Sequence, residues 1–258
     1  MCFRPGFRVL LPVLLLFTAC TGNPVLIGRT STRLTPPAAI AMLDMQLATG
    51  VLDVRQHAEP DVIVDAEIWA TGTLAEGHAG SIREMPFADW INLAATDGTL
   101  RLRNHKNDDE HQLRLVVRVP TTSAHAALHV QVGELRGTFT RLRDVDAVIE
   151  TGTQNLKLGE VAGKLTARVG TGQLEVQATQ APSAATSLEV GTGSIDFDLP
   201  TDVAGRFDLA VRTGGLDGLG NFGLREQRDT TSATAKGERG AGGQPFVLRA
   251  GTGQIRLR

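Results

Sequence analysis

The sequence predicts an all-β protein built as a β-solenoid, on three observations. Apolar residues alternate with polar ones over short segments along most of the chain, a period-2 pattern typical of strands with one buried face. A short phrase containing Gly-Thr-Gly returns at a step of about 20 residues. No segment keeps an apolar period of 3.6 beyond about two helical turns, so helix content should be small.

The repeated phrase reads Val-Gly-Thr-Gly-Gln-Leu-Glu-Val at 169–176 and returns in altered form at 190–197, 211–217 and 251–257. Its glycines are predicted to be structural corners, because glycine reaches positive φ without the Cβ clash that other residues meet. The series of predicted corner glycines comprises Gly133, Gly152, Gly172, Gly193, Gly214 and Gly253.

A repeat of this length is typical of stacked architectures, in which one short strand pair cannot bury its apolar face alone. We therefore expect a single-stranded β-solenoid of rungs about 4.8 Å apart, whose handedness the sequence leaves open. An antiparallel β-sandwich with glycine hairpins is the alternative, since turns at roughly 8 to 12 residues suit that fold as well.

The first twenty residues resemble a bacterial lipoprotein signal. Arg4 and Arg8 precede an apolar run at 9–17, which is shorter than the roughly 20 residues of a spanning helix. The small residues before Cys20 resemble the lipoprotein processing box, in which the cysteine is lipidated and becomes the new N-terminus. Phe17 departs from the Leu, Val or Ile usual there. An ordinary secretory signal that leaves Cys20 as a free thiol is the alternative.

The chain divides into four predicted segments. They are a lipoprotein signal peptide at 1–19, a flexible tether at 20–40, N-terminal β units at 41–125, and C-terminal Gly-Thr-Gly repeats at 126–258 with a polar insertion at about 220–245. Fully extended, the tether could lift the folded part about 60 Å from the lipid. Within the N-terminal segment Gly50 and Gly98 occupy matching turns of two similar units.

Charge argues against a nucleic-acid partner. Removal of the signal peptide takes away Arg4 and Arg8 and leaves 24 basic against 28 acidic residues, a net charge of about −4. A basic face is the first requirement for binding nucleic acid.

Two glycine patterns resemble ligand loops but lack the required context. The segment 218–223 matches the dinucleotide pattern Gly-x-Gly-x-x-Gly, yet no helix with an apolar face follows it, so a turn is the better interpretation. The segment 191–197 resembles a calcium-binding nonapeptide, but Thr192 and Ser194 stand where that motif needs glycine. No cofactor is therefore expected.

Two groups of polar residues could carry chemistry. Asp196 and Asp198 share a strand face, as paired acids do in polysaccharide-cleaving β-helix enzymes, but no base or aromatic platform accompanies them, so no catalytic residue is expected. The loop at 104–112 could chelate a divalent ion or form a solvated hairpin tip, the favoured interpretation, so no metal site is assigned. Its candidate ligands are His105, Asp108, Asp109 and His111.

The Gly-Thr-Gly phrases, after a first unit that ends on Arg118-Val119-Pro120, resemble the bacterial envelope proteins known as the "putative adhesin" family. The resemblance covers roughly residues 43–258. It implies a β-solenoid or β-helix-like fold without enzymatic activity, and it brings no catalytic residues to this chain.

These features predict a non-enzymatic envelope lipoprotein, anchored in the membrane through Cys20, whose β face serves adhesion or scaffolding with an unidentified protein or glycan ligand. Thr21 is not the Asp that retains lipoproteins in the inner membrane of many Gram-negative cells, so the outer membrane is favoured. The alternatives are a carbohydrate-active β-helix enzyme and a periplasmic regulator that binds a protein through a sheet edge or through 220–245.

Overall fold

The computed structural model describes residues 24–36, 38–70, 83–104, 111–120, 127–139 and 146–258, and over these ranges the chain is all-β, as predicted. These residues contain sixteen strands, two short 3₁₀ segments (Phe87–Asp89 and Leu219–Phe222) and no α-helix. None of their helical segments is long and apolar enough to cross a membrane.

The strands in chain order are β1 (Val25–Leu34), β2 (Met42–His57), β3 (Val62–Ala70), β4 (Arg83–Glu84), β5 (Ile91–Thr96), β6 (Thr99–Asn104), β7 (His111–Pro120), β8 (Ala127–Phe139), β9 (Ala147–Thr153), β10 (Leu156–Gly159), β11 (Leu165–Gln177), β12 (Thr186–Asp198), β13 (Gly205–Asp217), β14 (Glu226–Arg228), β15 (Ala233–Arg239) and β16 (Gln244–Leu257). Hydrogen bonds join all of them into one sheet.

The centre of this sheet is a parallel ladder of long strands. β11 and β12 pair in register from Leu165 opposite Thr186 to Gln177 opposite Asp198. On the other side of β11, β9 and β10 together fill one rung, followed by β8 and then β2, all parallel. Parallel, in-register pairing is what stacked repeats require, because equivalent residues of successive units then lie side by side.

Each long strand bends at the Gly-Thr-Gly phrase, and both halves face one core. In β12 the buried apolar positions before the bend are Leu188 and Val190, and those after it are Ile195 and Phe197. The inward side chains thus change from even to odd positions at the bend. All four belong to a single hydrophobic cluster, so the folded sheet supplies two walls of the same core, in a sandwich-like arrangement.

The order of rungs differs from the order of repeats along the chain. The sequence suggests that the unit at 211–217 stacks on the unit at 190–197, but β16 lies between β12 and β13 and pairs in parallel with both. The final unit therefore fills a central position in the ladder. The gap of 39 residues between Gly214 and Gly253 is the excursion that returns the chain to this position.

Cysteine pairs at the bend should report this order directly. Thr252 of β16 lies opposite Thr192 of β12 and opposite Thr213 of β13, and all three are exposed. In a Cys20→Ser background, we expect intramolecular disulfides in T192C/T252C and T213C/T252C, since adjacent strands are about 4.8 Å apart. T192C/T213C should stay reduced, two strands apart. Mass spectrometry after mild oxidation distinguishes the three, and a bridge in the last variant would contradict the insertion of β16.

The predicted tether is in part a strand. Residues 25–34 form β1, which pairs antiparallel with β3 from Val25 opposite Ala70 to Leu34 opposite Val62, so the flexible assignment of 20–40 is wrong for this range. Apolar and polar residues do not alternate along this strand, so the sequence pattern did not predict a strand here. Side-chain contacts with β3 and with the turn before β3 hold β1 in place. Ser31 donates a hydrogen bond to the Asp65 carboxylate over 2.7 Å, and the Arg33 guanidinium donates one to the Glu59 carboxylate over 3.0 Å.

The predicted polar insertion at 220–245 is an ordered cap. β15 pairs antiparallel with the first half of β13, and β14 pairs with β15. Ala233, Ala235 and Phe222 are buried beneath it. Since an open sheet edge is a template for aggregation, a short, charged hairpin is a physically reasonable ending for the ladder.

Candidate functional site

The bend of the ladder carries an exposed row of threonines, which we call the threonine ridge. Strand register aligns them one rung apart, and every one is exposed. In rung order the ridge consists of Thr153, Thr171, Thr192, Thr252 and Thr213. It is a regular polar edge whose side chains recur at about 4.8 Å.

A glycine column lies directly after the ridge. Gly172, Gly193, Gly253 and Gly214 have φ between 135° and 143°. A Cβ on Gly193 would lie 1.8 Å from the carbonyl oxygen of Gly172, and one on Gly253 would lie 1.7 Å from that of Gly193. Each rung therefore approaches its neighbour too closely for any side chain at this position.

Earlier members of the predicted glycine series fall in a second column. Register pairs Gly152 with Gly170 rather than with Gly172, and Gly133 with Gly152. In this column a Cβ on Gly152 would lie 2.6 Å from the carbonyl oxygen of Gly133. Gly133 and Gly152 therefore do not align with Gly172 as predicted, because the early rungs are shorter than 21 residues. Gln154, with φ 94°, holds the place of Gly172 in its rung.

The two N-terminal turn glycines have different roles. Gly50 has φ 146° and lies at the bend of β2, opposite Leu113. Gly98 has φ 71° and turns the antiparallel β5–β6 hairpin. They are not matching positions, because β6 and β7 together form the rung beside β2.

The outer face before the bend carries a row of alternating charges. Glu150, Arg168 and Glu189 are successive neighbours on β9, β11 and β12. The guanidinium of Arg168 lies 3.0 Å from Glu150 and 3.4 Å from Glu189. Such exposed pairs add little stability individually, but they leave the face nearly neutral.

The two acids singled out on β12, Asp196 and Asp198, have different surroundings. Asp196 is only 6% exposed and accepts hydrogen bonds from Gln173 at 2.8 Å, Arg256 at 3.0 Å and Arg258 at 3.3 Å. Asp198 is exposed and points the same way along the strand. Three donors from neighbouring strands therefore occupy the Asp196 carboxylate, an arrangement that links the rungs on either side of β12.

Replacing Asp196 with alanine should lower the free energy of unfolding by about 2 kcal/mol, because it removes the buried acceptor of three hydrogen bonds, two of them from guanidinium groups. The matched control is Asp198→Ala, two residues further along the same face, where exposure predicts a change within about 0.5 kcal/mol. Urea denaturation of both variants measures the difference. Equal losses would show that the contacts of Asp196 contribute no more than a surface charge.

Asp208 provides a pH-sensitive contact on β13. The pKa of the Asp208 carboxyl lies below its ordinary value of 3.8, mainly because Arg249 donates a hydrogen bond to it over 2.7 Å. Burial opposes this lowering of the pKa, and the positive charges of Arg249 and Lys236 assist it. Since the folded state binds this proton less readily than the unfolded state, the contribution to stability is present above pH 3.8 and is lost as pH falls through the folded pKa.

We therefore expect Arg249→Gln to flatten the acid limb of the stability profile. The urea midpoint of the wild type should fall further between pH 5 and pH 3 (about one unit either side of an aspartate pKa) than that of the variant. Arg206→Gln, which removes an exposed arginine from β13, is the control and should follow the wild type. A variant as acid-sensitive as the wild type would refute this assignment.

An open groove of about 700 Å³ lies on the same outer face. It crosses β6, β2, β8, β9 and β11 beside the bend. Its lining includes Gln46, Gln131, Glu150, Arg168 and Arg103. Amides and guanidinium groups together can bind hydroxyl and carboxylate groups, so the groove is a candidate surface for a polar ligand, although Arg103 and Arg168 already pair with acids.

These groove residues were not predicted from the sequence, although a signal for them exists. Gln46, Gln131, Glu150 and Arg168 stand opposite one another in successive rungs. Aligning the repeats by strand register places them in one row, but their identities vary too much for a motif.

Metal and cofactor candidates gain no support within the described residues. No group of three or more His, Cys, Asp or Glu side chains there could hold a metal ion. His105, Asp108 and Asp109 lie outside the described residues, as does Cys20. The Gly-x-Gly-x-x-Gly segment forms the 3₁₀ turn Leu219–Phe222 between two left-handed glycines and leads into a strand, not a helix.

Comparison with known proteins finds no matching family model and no match among curated proteins. Solved structures similar to this chain include a "putative cell adhesion protein" from Clostridium sporogenes (12% identity over 89% of this chain and 98% of that chain, TM-score 0.43). A "putative adhesin" from Bacteroides fragilis has 11% identity over 89% and 97% of the two chains, with a TM-score of 0.31. At such low identity and TM-score, these similarities do not identify a family for this chain.

Proposed function

We propose that this chain is a non-enzymatic lipoprotein of the bacterial envelope, anchored through Cys20, that presents its bent β-sheet for adhesion or scaffolding. The main structural support is the outer face of the ladder, where acids are matched by arginines in neighbouring rungs. Asp196, the acid that a β-helix enzyme would use, is saturated with donors. A neutral, polar and regular surface suits binding better than proton transfer.

We also propose that the architecture is a β-solenoid with closed ends. The parallel register and the aligned bends support this description over an antiparallel sandwich. Antiparallel pairs are found towards the two ends, at β1–β3, β3–β7 and β5–β6 on one side and β13–β15 on the other.

Labelling with radioactive palmitate tests the anchor. Wild-type protein expressed in a Gram-negative host should incorporate the label and fractionate with the outer membrane, whereas Cys20→Ala should incorporate none. Because Cys2 lies within the predicted signal peptide, Cys2→Ala serves as the control and should label normally. Equal labelling of wild type and Cys20→Ala would reject the lipoprotein assignment.

Proteolysis of intact cells separates adhesion from scaffolding inside the envelope. A surface-facing protein should be digested by added protease without lysis, and a periplasm-facing one only after lysis. A known periplasmic protein serves as the integrity control. Protection in intact cells would rule out direct adhesion and leave the scaffolding role.

A further inference from the structure

The folded part of the chain begins very close to Cys20. Val25, the fifth residue after Cys20, is already paired with Ala70, and Ile27 is 4% exposed in the core. An extended chain spans at most about 3.6 Å per residue. A lipid on Cys20 would therefore hold the start of β1 within about 18 Å of the bilayer surface, far less than the reach of a free tether.

β1 lies near one extreme of the sheet. Among the described residues, it pairs with β3 along its whole length and with the two residues of β4 at Gly28 and Arg29. The strand order places nine strand-to-strand steps between β1 and β13. At about 4.8 Å per step, the capped Gly-Thr-Gly end lies roughly 40 Å along the sheet from β1.

The outer face at the start of β1 has the chemistry of a membrane interface. Leu26 stands opposite Trp69, and both are half-buried on the outward side of their strands. Tryptophan favours the boundary between lipid headgroups and acyl chains. The neighbouring acid, Glu67, is matched by Arg29 at 3.2 Å and Arg114 at 3.9 Å, so the Glu67 carboxylate is not left unmatched towards anionic lipids.

We propose that the β1 end is docked on the phospholipid surface that carries the anchor, with Leu26 and Trp69 at the headgroups, and that the β13–β15 cap is the membrane-distal tip. This inference rests on the proposed lipidation of Cys20. In this orientation the threonine ridge runs outward from the membrane, and the Gly-Thr-Gly rungs lie furthest from the bilayer.

Energy transfer to labelled vesicles tests the orientation. The lipidated full-length protein is purified from membranes and reconstituted into phosphatidylethanolamine–phosphatidylglycerol vesicles that carry a headgroup acceptor. Once Cys2 is removed and Cys20 is lipidated, the chain has no other thiol. A donor dye is then placed on Arg29→Cys, near the proposed contact, or on Thr231→Cys, an exposed residue beside the cap. Transfer should be roughly twofold greater from position 29, since the sheet separates the two sites by about 40 Å.

Two further variants separate the possible failures. A linker of about twenty Gly/Ser residues inserted between Asn23 and Pro24 should lower transfer from position 29, because it removes the span limit. Trp69→Ser should lower it to a smaller degree by removing the interfacial contact. Protein that does not sediment with vesicles would overturn the lipid anchor itself. Protein that sediments but gives equal transfer from both positions, or an unchanged value with the long linker, would overturn the orientation alone.

Discussion

Gly193→Ala should destabilise the protein by about 3 kcal/mol or more, a large effect for the addition of a single methyl group. The new Cβ would lie 1.8 Å from the carbonyl oxygen of Gly172, and the backbone there has φ 135°. Neither strain can relax locally, because β12 is fixed on two sides by parallel pairing with β11 and β16. The strained φ alone costs about 1–3 kcal/mol, and the contact adds a displacement of neighbouring rungs.

The matched control for this substitution is Gly220→Ala. Gly220 lies in the turn Leu219–Phe222, where an added Cβ would meet no atom within 4 Å. Its change should stay within about 0.5 kcal/mol. Urea denaturation of the two variants, with the slope compared to confirm two-state behaviour, gives the difference. A Gly193→Ala protein as stable as Gly220→Ala would show that the glycine column does not require glycine.

Phe246→Ala should cost about 3–5 kcal/mol, because Phe246 joins the inserted strand to both of its neighbours. It is fully buried in β16. Its ring centroid lies 4.9 Å from that of Phe207 in β13 and 5.9 Å from that of Phe197 in β12. The adjacent Val247→Ala, on the outward side of the same strand, is the control and should cost less than about 1 kcal/mol.

Double-mutant cycles then test whether β16 lies in the middle. Coupling energies of about 0.5–1.5 kcal/mol are expected for Phe246 with Phe207 and with Phe197. If the last repeat instead stacked at the end of the ladder, Phe246 would couple to only one of them. That result would contradict the strand order found here.

The sequence by itself determined the all-β class and the bend. Both follow from local chemistry: period-2 alternation favours a one-sided strand, and glycine favours the conformation at Gly172, Gly193, Gly214 and Gly253 that other residues reach at a cost. The turn at 218–223 could also be predicted from the sequence, because no helix with an apolar face follows its glycines.

Only the tertiary structure decided the order of the rungs. Since every late repeat places glycine, threonine and apolar residues at the same positions, any rung can stack on any other with equal local fit, and the sequence pattern cannot choose between them. The choice depends on how β14 and β15 cap β13 and return the chain to the slot beside β12. The same limit applies to β1, because its polar residues are held by partners that are distant in the sequence, such as Glu59 and Asp65. The groove, likewise, is assembled from residues of five rungs that only strand register brings into one row.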